Sequence, residues 1–188
     1  MKRLIFLAFV GIILLSIATL GYKIVRGNAE KDATALRIRI LPELRFTQEN
    51  GAPITNTDFP PDKALVIVHF LPDCHFCQGE ANEFSAHPEL LADAHVLFVS
   101  AAAITQIREF AAAYALRNLP SVTLAADSLK TFGQTFGTVS VPTTFVYGKA
   151  VNGKRVLLKQ FHGEASAEAI KKALSHSADS PSSKSARR

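Results

Sequence analysis

The stretch Ala64–Ser85, ALVIVHFLPDCHFCQGEANEFS, decides the fold of this 188-residue chain. Its first eight residues, Ala64–Leu71, form a nearly continuous apolar, β-branched run, which is typical of a strand buried on both faces of a sheet. Helical spacing of apolar residues follows over His75–Ser85, and Pro72-Asp73 supplies the turn between the two patterns. The sequence therefore predicts a buried strand that leads through a tight turn into a helix.

The same alternation of strand and helix patterns continues toward the C-terminus. We predict strands at His95–Ala102, Ser121–Ala126, Thr143–Tyr147 and Arg155–Phe161, and helices at Ile104–Leu116, Ser128–Phe136 and Ser166–Ser175. Asn152-Gly153 between the last two strands is a hairpin turn signal. Strand–helix alternation that ends in a hairpin and a helix predicts an α/β fold, in which a mixed central sheet is flanked by helices.

Composition and charge exclude several classes of protein. Apolar residues make up 48% of the chain and charged residues 20%, so a mostly disordered chain is excluded. The net charge of +5 is located at the two ends, because residues 27–176 carry 14 basic and 15 acidic side chains. Such a body offers no electrostatic field for nucleic acid. Two cysteines also exclude a disulfide-stapled scaffold and a four-cysteine zinc site.

The N-terminal segment Leu4–Tyr22 contains 19 residues without a charge. As a helix it would span about 28 Å, close to the thickness of a bilayer's hydrocarbon core. It is either a cleaved signal peptide, with Ser16-Ile17-Ala18 as the cleavage site, or an uncleaved anchor. We favour the anchor because the apolar run continues past that site. The predicted organisation is then an anchor at 1–22, a polar tether at 23–35, a folded domain at 36–176 and a disordered tail at 177–188.

The two cysteines, Cys74 and Cys77, lie at the predicted strand-to-helix junction. A thiol at a helix N-terminus faces unpaired N–H groups and the positive end of the helix dipole, and both favour the thiolate. The second cysteine, one helical turn on, can reach the first and close a disulfide. We therefore predict Cys74 as the attacking thiolate and Cys77 as the resolving thiol. Ordinary core cysteines remain an alternative, as does a metal site completed by His69, His75 or His162.

At these residues the chain resembles the thioredoxin-like superfamily. More narrowly, it is similar to the membrane-anchored TlpA/ResA-type thiol–disulfide oxidoreductases, whose domain is also described as redoxin or AhpC/TSA-like. The resemblance covers residues 38–175 and rests on the cysteine pair and on Val141-Pro142-Thr143-Thr144, where the superfamily keeps a cis-proline. It also rests on a strand-helix insertion within 121–144, SVTLAADSLKTFGQTFGTVSVPTT, and on an N-terminal hairpin around Gly51 in LPELRFTQENGAPITNTDF. We therefore predict a cis Val141–Pro142 bond.

The resemblance also implies roles for residues around the cysteines. Glu80 occupies the position of a glutamate that tunes the thiols and moves a proton, and desolvation would raise its pKa for that task. An exposed surface glutamate is the plainer interpretation of the same residue. The substrate chain is expected to bind along the residues beside the disulfide and the proline, namely His75, Phe76, Val141, Pro142 and Thr143.

Two positions depart from the superfamily pattern. Asp73 replaces the tryptophan that commonly precedes the first cysteine, and a carboxylate there opposes thiolate formation. Val68 replaces a buried aspartate that handles protons in thioredoxin itself, which increases the importance of Glu80. His75 beside Cys74 is also unusual. Protonated, it would stabilise the thiolate, and otherwise it is a solvent-facing ring.

The resemblance implies a thiol–disulfide oxidoreductase of the bacterial cell envelope that needs no cofactor and is more consistent with a reductant. Residues 4–22 would anchor it in the cytoplasmic membrane with the N-terminus inside and the domain in the periplasm. Its partners would be disulfide-containing envelope proteins and a membrane-embedded thiol–disulfide electron donor. Alternatives are a metal-delivery or adaptor module and a peroxidase. Peroxidases usually carry Thr or Ser and Pro where this chain has Leu71 and Val68.

Overall fold

The computed structural model describes residues 2–175, and the predicted tail at 177–188 lies outside the described residues. The side chains of 2–10, 12–14, 24, 90 and 91 are likewise outside that description. The chain divides into two compact units, with the boundary between Arg37 and Ile38.

The described part of the first unit is helical throughout and belongs to α1 (Lys2–Ile38), whose last residue is counted in the second unit. It includes residues 23–35, which the sequence analysis predicts to be a polar tether. The helix continues there because the segment GNAEKDATALRI is rich in alanine and in straight-chain charged residues, which favour helix. Among the described residues, no helix has both the length and the apolar character that a membrane span requires. Many side chains of the predicted span Leu4–Tyr22 lie outside that description.

The second unit is built on a seven-stranded mixed sheet with the strand order β2-β1-β5-β4-β3-β6-β7. Its strands are β1 (Phe46–Gln48), β2 (Pro53–Ile54), β3 (Ala64–His69), β4 (Ala94–Ser100), β5 (Val122–Ala126), β6 (Thr143–Tyr147) and β7 (Leu157–His162). The three central strands β3, β4 and β5 are parallel, and β1, β6 and β7 each run antiparallel to the neighbour on their inner side. This confirms the predicted mixed sheet.

Helices cover both faces of this sheet because β3 and β4 are apolar on both sides. Val66, Val68 and Phe98 pack on one face under α2 (His75–Ala86), α3 (Ile104–Ala113) and α5 (Ala167–Ser175). Leu65, Ile67 and Val99 pack on the other face against α4 (Phe132–Phe136) and the segment 38–46. The carboxyl end of β3 thus lies at the edge of two hydrophobic cores.

The hairpins that the sequence predicts are present. Strands β1 and β2 pair around Gly51, whose φ of 87° lies in the left-handed region that favours glycine. Val151 and Lys154 pair across Asn152-Gly153, and both turn residues have positive φ.

Two predicted elements begin two or more residues later than the sequence patterns indicate. Helix α4 begins at Phe132 rather than Ser128, because the buried Asp127 carboxylate accepts hydrogen bonds from the Thr131 and Phe132 amides and determines the start of the helix. Strand β7 begins at Leu157 rather than Arg155, whose guanidinium turns inward to backbone carbonyls.

Candidate active site

The two cysteines lie just beyond the carboxyl end of β3, where the chain turns into α2. Cys74 is the N-cap of α2, and its Sγ accepts a hydrogen bond from the Cys77 backbone N–H at 3.4 Å. Cys74 is half-buried, whereas Cys77 is only 1% exposed. Both are free thiols. The structure therefore presents one thiol to a partner and keeps the other behind it, next to a donor that favours negative charge on Cys74.

The buried thiol Cys77 keeps its proton strongly. Burial raises the pKa of Cys77, and its hydrogen bond with Cys74 raises that pKa further. A thiol must lose its proton before it can attack a disulfide. Cys77 therefore needs a nearby proton acceptor in order to act as a nucleophile.

Glu80 lies one helical turn beyond Cys77 and is fully buried. The Thr144 hydroxyl donates a hydrogen bond of 2.6 Å to its Oε1, whereas its Oε2 has no hydrogen-bond partner within residues 2–175. Burial of the carboxyl raises the pKa of Glu80 to about 8, against an opposing effect of the Thr144 bond. The exposed-glutamate interpretation is therefore wrong for this residue. A carboxyl with such a pKa exchanges its proton near neutral pH.

A second carboxylate, that of Glu164, lies against the same helix. A Cβ added to Gly79 would come within 2.6 Å of Glu164 Oε1, so glycine leaves the room that this carboxylate occupies. The negative charge of Glu164 is a further cause of the raised pKa of Glu80. This side chain escaped the sequence analysis because nothing in the local pattern connects the loop before α5 with α2.

The predicted substrate-binding loop precedes β6. The Val141–Pro142 peptide bond is cis, as the sequence analysis predicts. Pro142 and Thr143 are buried and Val141 is half-buried. The Thr143 hydroxyl donates to the Ser140 carbonyl at 2.9 Å, and the Pro142 carbonyl accepts the Gly163 N–H at 3.0 Å. Since β6 pairs with β3, the structure brings this loop to the sheet edge from which the cysteine turn departs.

His75 and Phe76, the two residues between the cysteines, are exposed. Phe76 is 60% exposed, and its ring lies 6.0 Å from the ring of His75 in an edge-on arrangement. Their rings therefore contact each other and remain accessible to an incoming chain. Asp73 is also exposed, and Val68 is buried in the apolar core.

His69, named above only as a possible metal ligand, contacts the predicted substrate-binding loop. Its Nδ1 lies 3.2 Å from the Ser140 carbonyl. A signal was available, because His69 is the one polar residue in the apolar strand β3, next to the turn. Within the part of the chain that the structure describes, no group of three or more His, Cys, Asp or Glu side chains is placed to hold a metal ion.

Comparison with known proteins places this geometry in a family and a fold. The model of the AhpC/TSA family matches residues 39–154. The curated proteins contain no significant match. Among solved structures, the chain is similar to a candidate thioredoxin from Neisseria meningitidis, at 24% identity over 75% of this chain and 91% of that chain, with a TM-score of 0.60.

Two further similar structures come from Mycobacterium tuberculosis. One is a secreted disulfide oxidoreductase homologous to E. coli DsbE, at 18% identity over 74% of this chain and 97% of that chain, with a TM-score of 0.56. The other is the peroxidoxin BcpB, at 21% identity over 71% and 90%, with a TM-score of 0.55. At these identities the likeness establishes the fold, which is thioredoxin-like.

Proposed function

The chain belongs to the AhpC/TSA family and is a thiol–disulfide oxidoreductase, and we propose that it reduces protein disulfides in the bacterial cell envelope through Cys74 and Cys77. The observation that carries the proposal is the asymmetry of the two thiols. Cys74 is accessible at a helix N-cap and accepts a backbone hydrogen bond, whereas Cys77 is buried behind it. One thiol is suited to attack a substrate and the other to complete the exchange.

In the proposed reaction the Cys74 thiolate attacks one sulfur of a substrate disulfide. The substrate S–S bond breaks, a Cys74–substrate disulfide forms, and the other substrate sulfur leaves as a thiolate that takes up a proton. Cys77 then attacks Cys74, releasing the second substrate thiol and closing the Cys74–Cys77 disulfide. The substrate gains two electrons and two protons, and the enzyme dithiol loses them.

Glu80 is proposed to take the proton from Cys77 during the second step. Its Oε2 accepts no hydrogen bond from the described part of the chain, and a pKa of about 8 allows the carboxyl to accept and return a proton near neutral pH. An ionised Glu80 is also one cause of the raised pKa of Cys77, after burial and the hydrogen bond with Cys74. Glu80 thus acts on the thiol that burial makes difficult to ionise.

The substrate chain is proposed to lie between Phe76 and the loop at Val141–Thr143. Phe76 supplies an exposed apolar ring beside Cys74, and the half-buried Val141 borders the cis-proline. His75 lies next to the same surface. Main-chain groups of the loop would hold an extended segment of the substrate.

The envelope location and the direction of electron flow belong to the same proposal. The uncharged run Leu4–Tyr22 supports an anchor in the cytoplasmic membrane, with the domain on the oxidising outer side. A reductant in that compartment requires a membrane-embedded thiol–disulfide donor to restore its dithiol. Resistance of the full chain to carbonate extraction from bacterial membranes is the expected result, and release into the supernatant would contradict the anchor.

Trapping the mixed disulfide tests the exchange directly. The Cys77→Ser variant should accumulate disulfide-linked adducts with envelope proteins, because nothing resolves the bond at Cys74. The matched control Cys74→Ser should form none, since the remaining thiol is buried. Adducts are read on non-reducing gels and released by dithiothreitol. Equal adduct formation by both variants, or none by either, would contradict the proposed roles.

The reduction potential of the Cys74–Cys77 couple tests the direction. If the protein is a reductant, equilibration of the full chain with dithiothreitol and glutathione buffers should give a reduction potential of about −270 mV, as in thioredoxin. A reduction potential of about −120 mV would instead identify an oxidant that introduces disulfides.

A peroxidase is the second candidate, and membership of the AhpC/TSA family is the observation that favours it. Peroxidase activity would require Cys74 to reduce a peroxide rather than a disulfide. The exposed Leu71 stands three residues before Cys74, where such enzymes usually carry a hydroxyl side chain. Hydrogen peroxide consumed by the reduced protein faster than by free cysteine would establish this alternative.

A further inference from the structure

His69 ends the apolar strand β3 with a buried polar side chain. Its main chain is paired with Val99 of β4 on one side and with Thr143 of β6 on the other. The side chain is 7% exposed, so its ring nitrogens depend mainly on protein partners. The other residues of β3 are apolar, and His69, which departs from this pattern, lies beside the cis-proline loop.

The Nδ1 atom of His69 meets the main chain of that loop. It lies 3.2 Å from the Ser140 carbonyl oxygen. Because a carbonyl oxygen only accepts, Nδ1 carries the hydrogen and donates it. The Thr143 hydroxyl donates to the same oxygen at 2.9 Å. Two donors from neighbouring strands therefore hold the carbonyl two residues before Pro142.

The ring of His69 is itself held from the other side. It stacks on Phe132 with 4.2 Å between ring centroids and 11° between planes. Phe132 begins α4, and its N–H donates to the buried Asp127 carboxylate at 2.8 Å. Asp127 also accepts the Thr131 N–H and hydroxyl. The strand-helix insertion thus fixes the ring plane, and the ring plane directs Nδ1 at Ser140.

We propose that His69 is a positioning residue, which orients the Ser140–Thr143 main chain so that it can bind an extended protein substrate. This role rests on the proposed function, because it assigns His69 to the binding step of that reaction. His69 acts through Ser140. It therefore determines how tightly a protein substrate is held and leaves the chemistry of the cysteine thiols unchanged.

Two substitutions separate the hydrogen bond from the stacking. His69→Phe keeps a flat ring against Phe132 and removes the donor to Ser140. His69→Asn keeps an N–H donor close to the position of Nδ1 and removes most of the ring. If orientation of Ser140 is what matters, the asparagine variant retains substrate binding and the phenylalanine variant loses it. A role in packing alone predicts the opposite order.

The experiment uses the full chain, with insulin as the protein disulfide and dithiothreitol as the electron source. Ellman's reagent serves as the small disulfide in a single turnover of pre-reduced protein from which dithiothreitol has been removed. His69→Phe should raise the KM for insulin about tenfold and change kcat less than twofold. Its reduction potential and its rate with Ellman's reagent should equal those of the wild type. His69→Asn should have a KM for insulin within about threefold of the wild-type value. A wild-type KM in His69→Phe, or equal losses in kcat and in the rate with Ellman's reagent, would overturn the proposal.

Hydrogen exchange of the backbone amides of Ser140, Val141 and Thr143 distinguishes failure of this inference from failure of the proposed function. His69→Phe should accelerate that exchange in the free protein, whether or not insulin is reduced. If the wild type does not reduce insulin, the proposed function is wrong. If exchange is nevertheless faster in the variant, the contact between His69 and Ser140 still holds the loop. Unchanged exchange in the variant would mean that the His69–Ser140 hydrogen bond does not hold the loop, and the positioning role would be wrong.

Discussion

Two buried ionisable side chains, Glu80 and Arg155, lie toward opposite ends of the central sheet and have opposite hydrogen-bonding environments. Arg155 lies toward the end where β3 begins, and its guanidinium donates to the carbonyls of Phe59, Pro60, Lys63 and Gly148. Glu80 lies toward the end where β3 finishes. Among the residues that the structure describes, it has one donor on Oε1 and no partner on Oε2.

The difference separates a structural charge from a reactive one. A buried charge that meets its full set of partners stays ionised and holds chain segments together. A buried carboxyl without such partners favours its neutral form, as the raised pKa of Glu80 indicates. Burial therefore does not by itself mark a functional group. What marks Glu80 is its unfilled hydrogen-bonding capacity, one helical turn from the Cys77 thiol.

Arg155→Met should have the largest effect on stability. The four carbonyls would lose a charged donor in a buried place, where an unsatisfied polar group costs about 1–3 kcal/mol. Urea unfolding of the full chain should show a free energy of unfolding lower by at least about 4 kcal/mol. The control Arg45→Met, at an exposed arginine paired with Glu43, should change it by less than about 0.5 kcal/mol. Similar losses in the two variants would contradict a structural role for Arg155.

Glu80→Gln should change the pH dependence of stability in the reduced protein. The folded-state pKa of about 8 lies above the ordinary value of 4.5, so between these values the folded protein keeps a proton that the unfolded chain releases. Stability contributed by this group is therefore lost as pH rises through that window, by about 1 kcal/mol per pH unit. Glutamine cannot ionise and should remove this slope between pH 5 and 8.

The measurement for Glu80 is urea unfolding of the full chain at several pH values, with the thiols kept reduced. Glu109→Gln, at an exposed carboxylate on α3, is the control and should keep the wild-type slope. An unchanged slope in Glu80→Gln would mean that Glu80 is ionised throughout the window. Glu80 would then resemble Arg155, and the contrast between the two ends of the sheet would fail.

Thr144→Val tests the one hydrogen-bond donor that Glu80 has among the described residues. The Thr144 hydroxyl stabilises the ionised carboxylate and so lowers the pKa of Glu80, against the effect of burial. Valine has nearly the same shape without the hydroxyl, so the pKa of Glu80 should rise above about 8. Carbon NMR of the Glu80 carboxyl across a pH titration measures this change. Thr123→Val, which removes a hydroxyl bonded to His95, should leave the Glu80 titration where it is.

Local and periodic signals were enough to predict part of this site. The apolar run of β3, the turn and the helical spacing placed Cys74 and Cys77 at one junction, and the spacing from Cys77 placed Glu80 one turn further on. The proline motif predicted the cis bond. These features depend on neighbours within about one helical turn, or on a resemblance carried by a few residues.

The environment of Glu80 depends on contacts that no local pattern contains. Thr144 reaches Glu80 across 64 residues of sequence, because β6 pairs with β3 beneath α2. Glu164 approaches Gly79 from the loop before α5. The inward turn of Arg155 likewise depends on carbonyls from two distant segments, 59–63 and Gly148. No local pattern contains these contacts, so the sequence pattern places Arg155 in a strand. Tertiary contacts determine which charged residues are satisfied.

Glu164→Gln should produce the smallest change, a decrease in the pKa of Glu80 by a fraction of a pH unit. Glu164 is exposed, and its negative charge disfavours a second negative charge on Glu80. Removing that charge makes ionisation of Glu80 easier. Because water and salt screen an exposed charge, the difference from the wild type should shrink as ionic strength increases. Carbon NMR of the Glu80 carboxyl at low and high salt measures both effects.

Two further variants decide whether this effect requires the contact at Gly79. In Gly79→Ala the new Cβ would come within 2.6 Å of Glu164 Oε1, so the flexible carboxylate must move away and the pKa of Glu80 should fall in the same direction. Glu168→Gln, at an exposed carboxylate in the first turn of α5, should leave the titration unchanged. If Glu168→Gln lowers the pKa as much as Glu164→Gln does, the effect belongs to the net charge of the surface. If only the Gly79 and Glu164 variants lower the pKa of Glu80, that raised pKa depends in part on the Glu164 carboxylate, which can lie close to α2 because residue 79 is glycine.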